Sequence, residues 1–385
     1  MKNLLLCTIA LVVLCSCEPI QQHLVAGSGM NWVTFRGNRA LSGYTAQSLP
    51  DDLSLLWNYH SSVRSISSPV VMEGTAYWSD VKGKIYGVNL QGEEVFSFDM
   101  KTPVEAPPMV FDSMLYIGRV DGGLTALSLR ERDTVWTHYT EGQISASPNL
   151  TDKKDGVVVV GSYDNFMYSI DRNTGERINR YEAGYYINGA VAIHDRHAIY
   201  GSCDGWLRIV NCEQGITTDS LELGGYIPSS PAVISDYAYI SDYSGNIYEL
   251  RIEDGKIKTT RTMHQAESES GEGAAVAVPA ASNTTLYILS SDNYLHAIDR
   301  KSTNLKWKYL LKGTVGESSP IVAADKVVVC TRTGIVTVLD AKSGELVWEY
   351  DTGEQIVSSP AAIRGYLFVL TTKGTLFCFG KKKDK

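Results

Sequence analysis

The sequence is poor in the features that most enzymes and nucleic-acid-binding proteins carry. Its 385 residues contain no H-E-x-x-H, G-x-S-x-G, phosphate-loop or EF-hand pattern, so the common hydrolase, nucleotide and calcium signatures are missing. No two cysteines stand in C-x-x-C spacing, which argues against a zinc ribbon or a thioredoxin-type redox pair. Positive charge is in the minority, with 35 Lys and Arg against 43 Asp and Glu. That balance offers no electrostatic footprint for nucleic acid. The one dense basic run, Lys381, Lys382, Lys383 and Lys385, reads as a solvated tail (381–385). Beyond the extreme N-terminus no apolar stretch is long enough to span a bilayer, and no long window has helical periodicity.

The histidines are scattered at 23, 60, 138, 194, 197, 264 and 296. His194 and His197 are neighbours, but with Asp195 and Arg196 between them they read as a solvated loop rather than a metal site. No metal site and no catalytic residue is expected. Cys203, Cys212, Cys330 and Cys378 read as small buried residues, not as a disulfide framework.

At the N-terminus Lys2 supplies a positive start, Leu4 to Val13 an apolar stretch, and Leu14-Cys15-Ser16-Cys17 follows. The stretch is too short for a membrane span and reads as a cleaved export signal over residues 1–16. The last four residues resemble a bacterial lipobox, which implies lipidation of Cys17 and a lipidated entry segment over 17–52.

The rest of the chain repeats. Ser67-Ser68-Pro69 returns as Ala106-Pro107-Pro108, Ala146-Ser147-Pro148, Ser229-Ser230-Pro231, Ser318-Ser319-Pro320 and Ser358-Ser359-Pro360. Weaker copies fall at Asn188-Gly189-Ala190 and Ala277-Val278-Pro279. Anchors at 69, 108, 148, 190, 231, 279, 320 and 360 recur about every 40 residues, the spacing of a propeller array. Each unit reads as a meander with a tight turn, at Lys82-Gly83, Asp121-Gly122, Asp164-Asn165, Asp204-Gly205, Ser244-Gly245, Asp292-Asn293, Thr333-Gly334 and Lys373-Gly374. Gly and Asn tolerate the positive φ of two-residue hairpins, the turn type expected there. The eighth unit stops one strand short at Phe379-Gly380, whereas Leu55-Leu56-Trp57-Asn58-Tyr59 precedes the first and matches Leu346-Val347-Trp348-Glu349-Tyr350. The expectation is an all-β, eight-bladed β-propeller of four-stranded blades over 53–380, its ring closed by the N-terminal strand.

The units resemble the pyrroloquinoline-quinone-like repeat, through the G-x-[I/L]-x-x-[I/L/V]-[D/N] run, the following [T/S]-G and the Trp strand. Trp32-Val33-Thr34-Phe35-Arg36-Gly37-Asn38, Ser42-Gly43 and Leu49-Pro50 are similar to the segment that precedes such propellers in exported bacterial proteins. The repeat implies a fold strongly and a function weakly. One branch of the superfamily, the quinoprotein dehydrogenases, uses pyrroloquinoline quinone with calcium and an adjacent cysteine pair that the mature chain lacks. The other is the lipoprotein of the outer-membrane β-barrel assembly machinery, similar in length, lipobox and missing catalytic signature. That resemblance implies a non-enzymatic scaffold with no cofactor, a monomeric ring within a complex of envelope proteins such as barrel-assembly components. It would sit at the periplasmic side of an outer membrane or at the cell surface. The enzymatic alternative is a quinone-dependent oxidoreductase, and a third reading is a glycan or small-ligand sensor.

Two sets of residues are singled out. Trp57, Trp136, Trp307 and Trp348 share one repeat position and are expected to dock neighbouring blades. Arg64, Glu105, Gln143, Tyr185, Tyr226, Glu317 and Gln355 stand five or three residues before an anchor. They are expected to form a polar and aromatic rim at the mouth of the central channel, either binding a ligand or lining a water-filled channel. The longest interval holds an acidic, Gly- and Ser-bearing stretch, 264–273, expected to protrude. Asp112-Ser113-Met114, Asp133-Thr134-Val135 and Asp219-Ser220-Leu221 resemble the O-glycosylation signal of some envelope proteins.

Overall fold

Each unit of about 40 residues becomes one antiparallel sheet, and eight such sheets follow one another around an axis. The computed structural model describes residues 30–151, 156–264 and 277–382. The export signal, Cys17, most of the acidic stretch and the end of the basic tail lie outside the described residues. No helix occurs among the described residues. We letter the strands of a blade A to D from the axis outward. In blade 1 these are Val70–Met72, Thr75–Ser79, Lys84–Val88 and Glu94–Asp99. Strands B and C are buried on both faces, as in Thr285–Leu289, whereas D strands alternate between core and solvent.

The ring closes as the two chain ends predict. Ser54–His60 pairs antiparallel with Thr375–Gly380 and becomes strand D of blade 8. No blade is left with an unmatched C strand, so a sticky sheet edge is removed. The B–C turns differ in detail from expectation. Asp80 and Lys84 close a loop of three residues, with Gly83 N donating to Asp80 O at 3.0 Å. This is a type I turn followed by one left-handed residue, not a two-residue hairpin. The left-handed position carries φ 98° at Gly83 and 74° and 65° at Asn165 and Asn293, so Asn replaces Gly there in two blades.

The Ser-Ser-Pro motif has a structural reason. Its second hydroxyl accepts the backbone N–H of the equivalent residue in the preceding blade. Ser359 N donates to Ser68 Oγ at 2.9 Å, Ser319 N to Ser359 Oγ at 3.0 Å, Val278 N to Ser319 Oγ at 2.9 Å and Ala190 N to Ser230 Oγ at 2.8 Å. These bonds stitch the A strands together around the channel.

The outer seams are held differently. At one register position of strand D stand Trp57, Phe96, Trp136, Asn179, Asp219, Arg261, Trp307 and Trp348. Trp57, Trp136 and Trp307 donate their indole N–H to the next blade's C–D turn, at Leu90 O (2.8 Å), Arg172 O (3.0 Å) and Ala341 O (3.3 Å). Trp348 meets Phe379 edge to face at 5.0 Å. Gly175 and Gly344 belong to those turns because a Cβ there would lie 2.7 Å and 2.5 Å from the packed indole.

Candidate functional site

The inner A strands present N–H groups toward the axis with no strand beside them, an edge that needs partners. The entry segment supplies them from inside the ring. Trp32 exchanges hydrogen bonds with Val71 in blade 1, and Val110 N donates to Val33 O at 2.8 Å in blade 2. Thr34 Oγ1 donates to Pro148 O in blade 3 at 3.3 Å. Ile193, Val233, Ala281 and Val322 N then donate to Arg39, Ala40, Ser42 and Gly43 O in blades 4 to 7. Gly365 N in blade 8 donates to Ser48 O at 3.2 Å. Residues 32–48 thus make one circuit of the channel, touching the blades in chain order, and Tyr44–Thr45 adds a short parallel strand to blade 7.

Arg36 lies at the centre of this strap and is 1% exposed. Its guanidinium donates to Pro279 O (2.6 Å), Leu41 O (2.9 Å) and Pro320 O (3.1 Å), so blades 6 and 7 are tied to the strap through one side chain. Burial pulls the guanidinium down to about 9. Gly43 is required beside it, because a Cβ there would lie 2.3 Å from the guanidinium. The chain therefore occupies the inside of the ring, with Thr34, Arg36, Leu41 and Ser42 buried there.

The rim residues lie on the loops that join strand D of one blade to strand A of the next, against the B–C turns. Val81 N donates to Arg64 O, Tyr163 N to Gln143 O, Tyr243 N to Tyr226 O and Thr372 N to Gln355 O. The seven expected residues do not form one site. Arg64 and Gln355 are exposed on blades 1 and 8. Gln143 Nε2 donates to Glu105 Oε2 at 3.1 Å, and Glu317 pairs with Arg332 at 3.3 Å.

Blade 4 requires a correction. Its strand A begins at Ala192, so the anchor is Val191 rather than Ala190, and Tyr186 O accepts from Cys203 N. Tyr186 therefore holds the rim position and Tyr185 precedes it. The two rings pack at 4.4 Å, and Tyr163 stacks on Tyr186 at 5.1 Å with an interplanar angle of 11°. Tyr185, Tyr186, Tyr226 and Tyr243 are 48%, 39%, 63% and 47% exposed. The neighbouring phenol of Tyr186, then partial burial, pushes the Tyr185 phenol up, with Tyr226 adding to it. Together they make an aromatic platform across blades 3 to 5. Tyr163 and Tyr243 were missed in the sequence, although both fill the same position of a B–C turn.

Asp204 fixes this platform from beneath. It accepts from Gly184 N at 2.6 Å and pairs with Arg208 at 2.6 Å. Burial alone would raise its carboxyl, but Arg208, the Ser202 hydroxyl and the turn amides hold it down to about 2. Half-buried Cys203 lies in the same turn, and burial pushes its thiol up. His194 and His197 are not a solvated loop. They pair across the A–B hairpin of blade 4, His197 is buried, and burial holds its imidazole below the ordinary value.

A family model described as outer membrane protein assembly factor BamB matches residues 50–257, 152–309 and 262–383, most of the chain. The chain belongs to the BamB family. The BamB of Shewanella oneidensis is 21% identical over 283 residues, 68% of this chain and 67% of that one. The crystal structure of BamB from Moraxella catarrhalis superposes with a TM-score of 0.72 at 18% identity, covering 86% of this chain and 99% of that one. A europium-containing methanol dehydrogenase superposes with a TM-score of 0.77 at 12% identity, covering 92% and 98%. At such identities the structures share the fold alone. The residues present do not fit a quinone on the axis. The strap and buried Arg36 line the inside of the ring, and no group of three His, Cys, Asp or Glu among the described residues could hold a metal ion.

Proposed function

We propose that this BamB-family chain is a non-enzymatic docking scaffold of the cell envelope, anchored through a lipid on Cys17 and assisting outer-membrane protein assembly. The observation that carries this reading is the tyrosine platform of blades 3 to 5. Tyrosine gives large contact area at low conformational cost and is enriched where proteins meet. Stacking among Tyr163, Tyr185 and Tyr186, beside the Asp204 network, holds these three rings in place before any partner arrives, which lowers the entropy lost on binding. With the strap inside the ring, the loop faces are the surfaces on which partners can act.

The test is crosslinking in cells, with the captured proteins identified by mass spectrometry. Barrel-assembly components should be recovered by the parent chain and lost with Tyr186→Ala plus Tyr226→Ala. Both residues are exposed, so the melting temperature should stay unchanged. A captured partner should also shield Cys203 from a thiol reagent. Equal capture by the double variant would remove the platform from the proposal. Capture of only another envelope system would reject the assembly role, and binding of a glycan with no protein captured would favour the sensor reading.

A further inference from the structure

Where tryptophan seals a seam, the space between one blade's D strand and the next blade's C–D turn is filled. Between blades 5 and 6 it is not. Arg261 stands at the tryptophan position, opposite Glu249, where the tryptophan seams have Ala126, Ala297, Val338 or Cys378. Its guanidinium still reaches the next C–D turn, donating to Lys301 O at 3.1 Å and to Arg300 O. The flat guanidinium fills less space than an indole, and an open crevice of about 750 Å³ remains. That is large enough for a small ligand.

The charges of its wall do not cancel. Glu249 is engaged by Arg261 and the Tyr239 hydroxyl, Asp299 by Lys306 at 3.2 Å, and Arg251 by Glu253. Two cations are left without a carboxylate among the described residues. Among the described residues buried Arg300 donates only to neutral acceptors, the Tyr239 hydroxyl and the carbonyls of Ser282, Asn283 and Ile234, which leaves one of its N–H groups without an acceptor there. Lys301, next in the chain, is exposed. The nearest carboxylate, Glu249, reaches Arg300 only through the Tyr239 hydroxyl and is already shared with Arg261, so a direct anionic partner would add compensation that the crevice lacks. Ser235, Tyr237, Thr260 and Asn283 line the same crevice, with the Arg300 guanidinium lying over the Tyr237 ring at 5.5 Å.

We propose that this crevice binds a phosphate-bearing, polyhydroxylated ligand, a sugar phosphate either free or as the headgroup of a lipid. Two adjacent cations match a dianion better than a single carboxylate, and charge-assisted bonds from Arg and Lys are the strong ones. The hydroxyls and the Asn283 amide face the sugar.

The test is calorimetric titration of the lipid-free mature chain with glucose 1-phosphate, inorganic phosphate and glucose. Glucose 1-phosphate should bind most tightly, phosphate more weakly and glucose not at all. Lys301→Glu should weaken glucose 1-phosphate by about tenfold or more, at an unchanged melting temperature without ligand. Asn283→Ala should weaken the sugar phosphate and leave phosphate alone. Co-sedimentation with phosphatidylcholine vesicles, with and without phosphatidylinositol, separates the sources. Binding that requires both phosphatidylinositol and Lys301 assigns the headgroup, whereas binding of glucose 1-phosphate alone assigns a soluble ligand. Silence with every phosphate compound and both vesicles, or equal affinity in Lys301→Glu, would overturn the site.

Discussion

Single residues in this ring are chosen by what lies opposite them. His197 faces Gly255, whose Cβ, were there one, would lie 2.3 Å from its ring. Such packing favours the neutral imidazole. The folded-state value lies below the unfolded one, so its stabilisation is complete above about pH 6.5 and declines as pH falls through that value toward the folded one. His138 behaves alike, with burial as the first cause. The melting temperature should therefore fall as the pH drops below about 6.5, and His197→Gln should flatten that slope. An unchanged slope would place the proton uptake elsewhere. In the sequence His197 is one charged-looking residue among Asp195 and Arg196. Only the hairpin, which turns it under the C–D turn of blade 5, separates it from its solvated neighbours.

At the scale of elements the strap matters most. Its carbonyls take the inward N–H groups of six A strands, and its glycines sit where any side chain would collide, Gly37 against the Trp32 ring at 2.7 Å. Removing residues 30–48 should leave the blades folded and lower the melting temperature. The amides of Val71, Val110, Ile193, Val233 and Val322 should then exchange with solvent faster, and a peptide of residues 30–48 should restore their protection. Unchanged exchange would mean that the strap does not cap these strands. The motif of Trp32, Gly37 and Gly43 was legible as a recurring entry segment. Its path was not, because its partners are backbone N–H groups that every strand possesses, and composition carries no trace of them.

For the whole molecule, ring closure converts eight small sheets into one cooperative body. The closing strand brings Trp57 against Phe368 and seals the last seam onto Leu90. Deleting residues 54–60 should lower the melting temperature and produce soluble oligomers by light scattering, since strand C of blade 8 becomes an open edge. A stable monomer would show that the seven complete blades and their seams suffice. The seams themselves are unequal. Tryptophan or phenylalanine holds five of the eight seams, the closure among them, whereas Asn179, Asp219 and Arg261 hold the seams after blades 3 to 5, and the tyrosine platform occupies those same blades.

The repeat alone determined the blade count, the strand order within a blade and the closing strand, because spacing, turn residues and alternation are local properties written into every copy. It also placed four tryptophans at one repeat position. What tertiary structure decided was where copies differ. A one-residue slip at Val191 exchanged Tyr185 for Tyr186, and the platform arose from loops of three blades brought side by side. The strap's path inside the ring and the Arg261 crevice are likewise products of neighbours distant in the chain, where a side chain's role depends on the space that other blades leave to it.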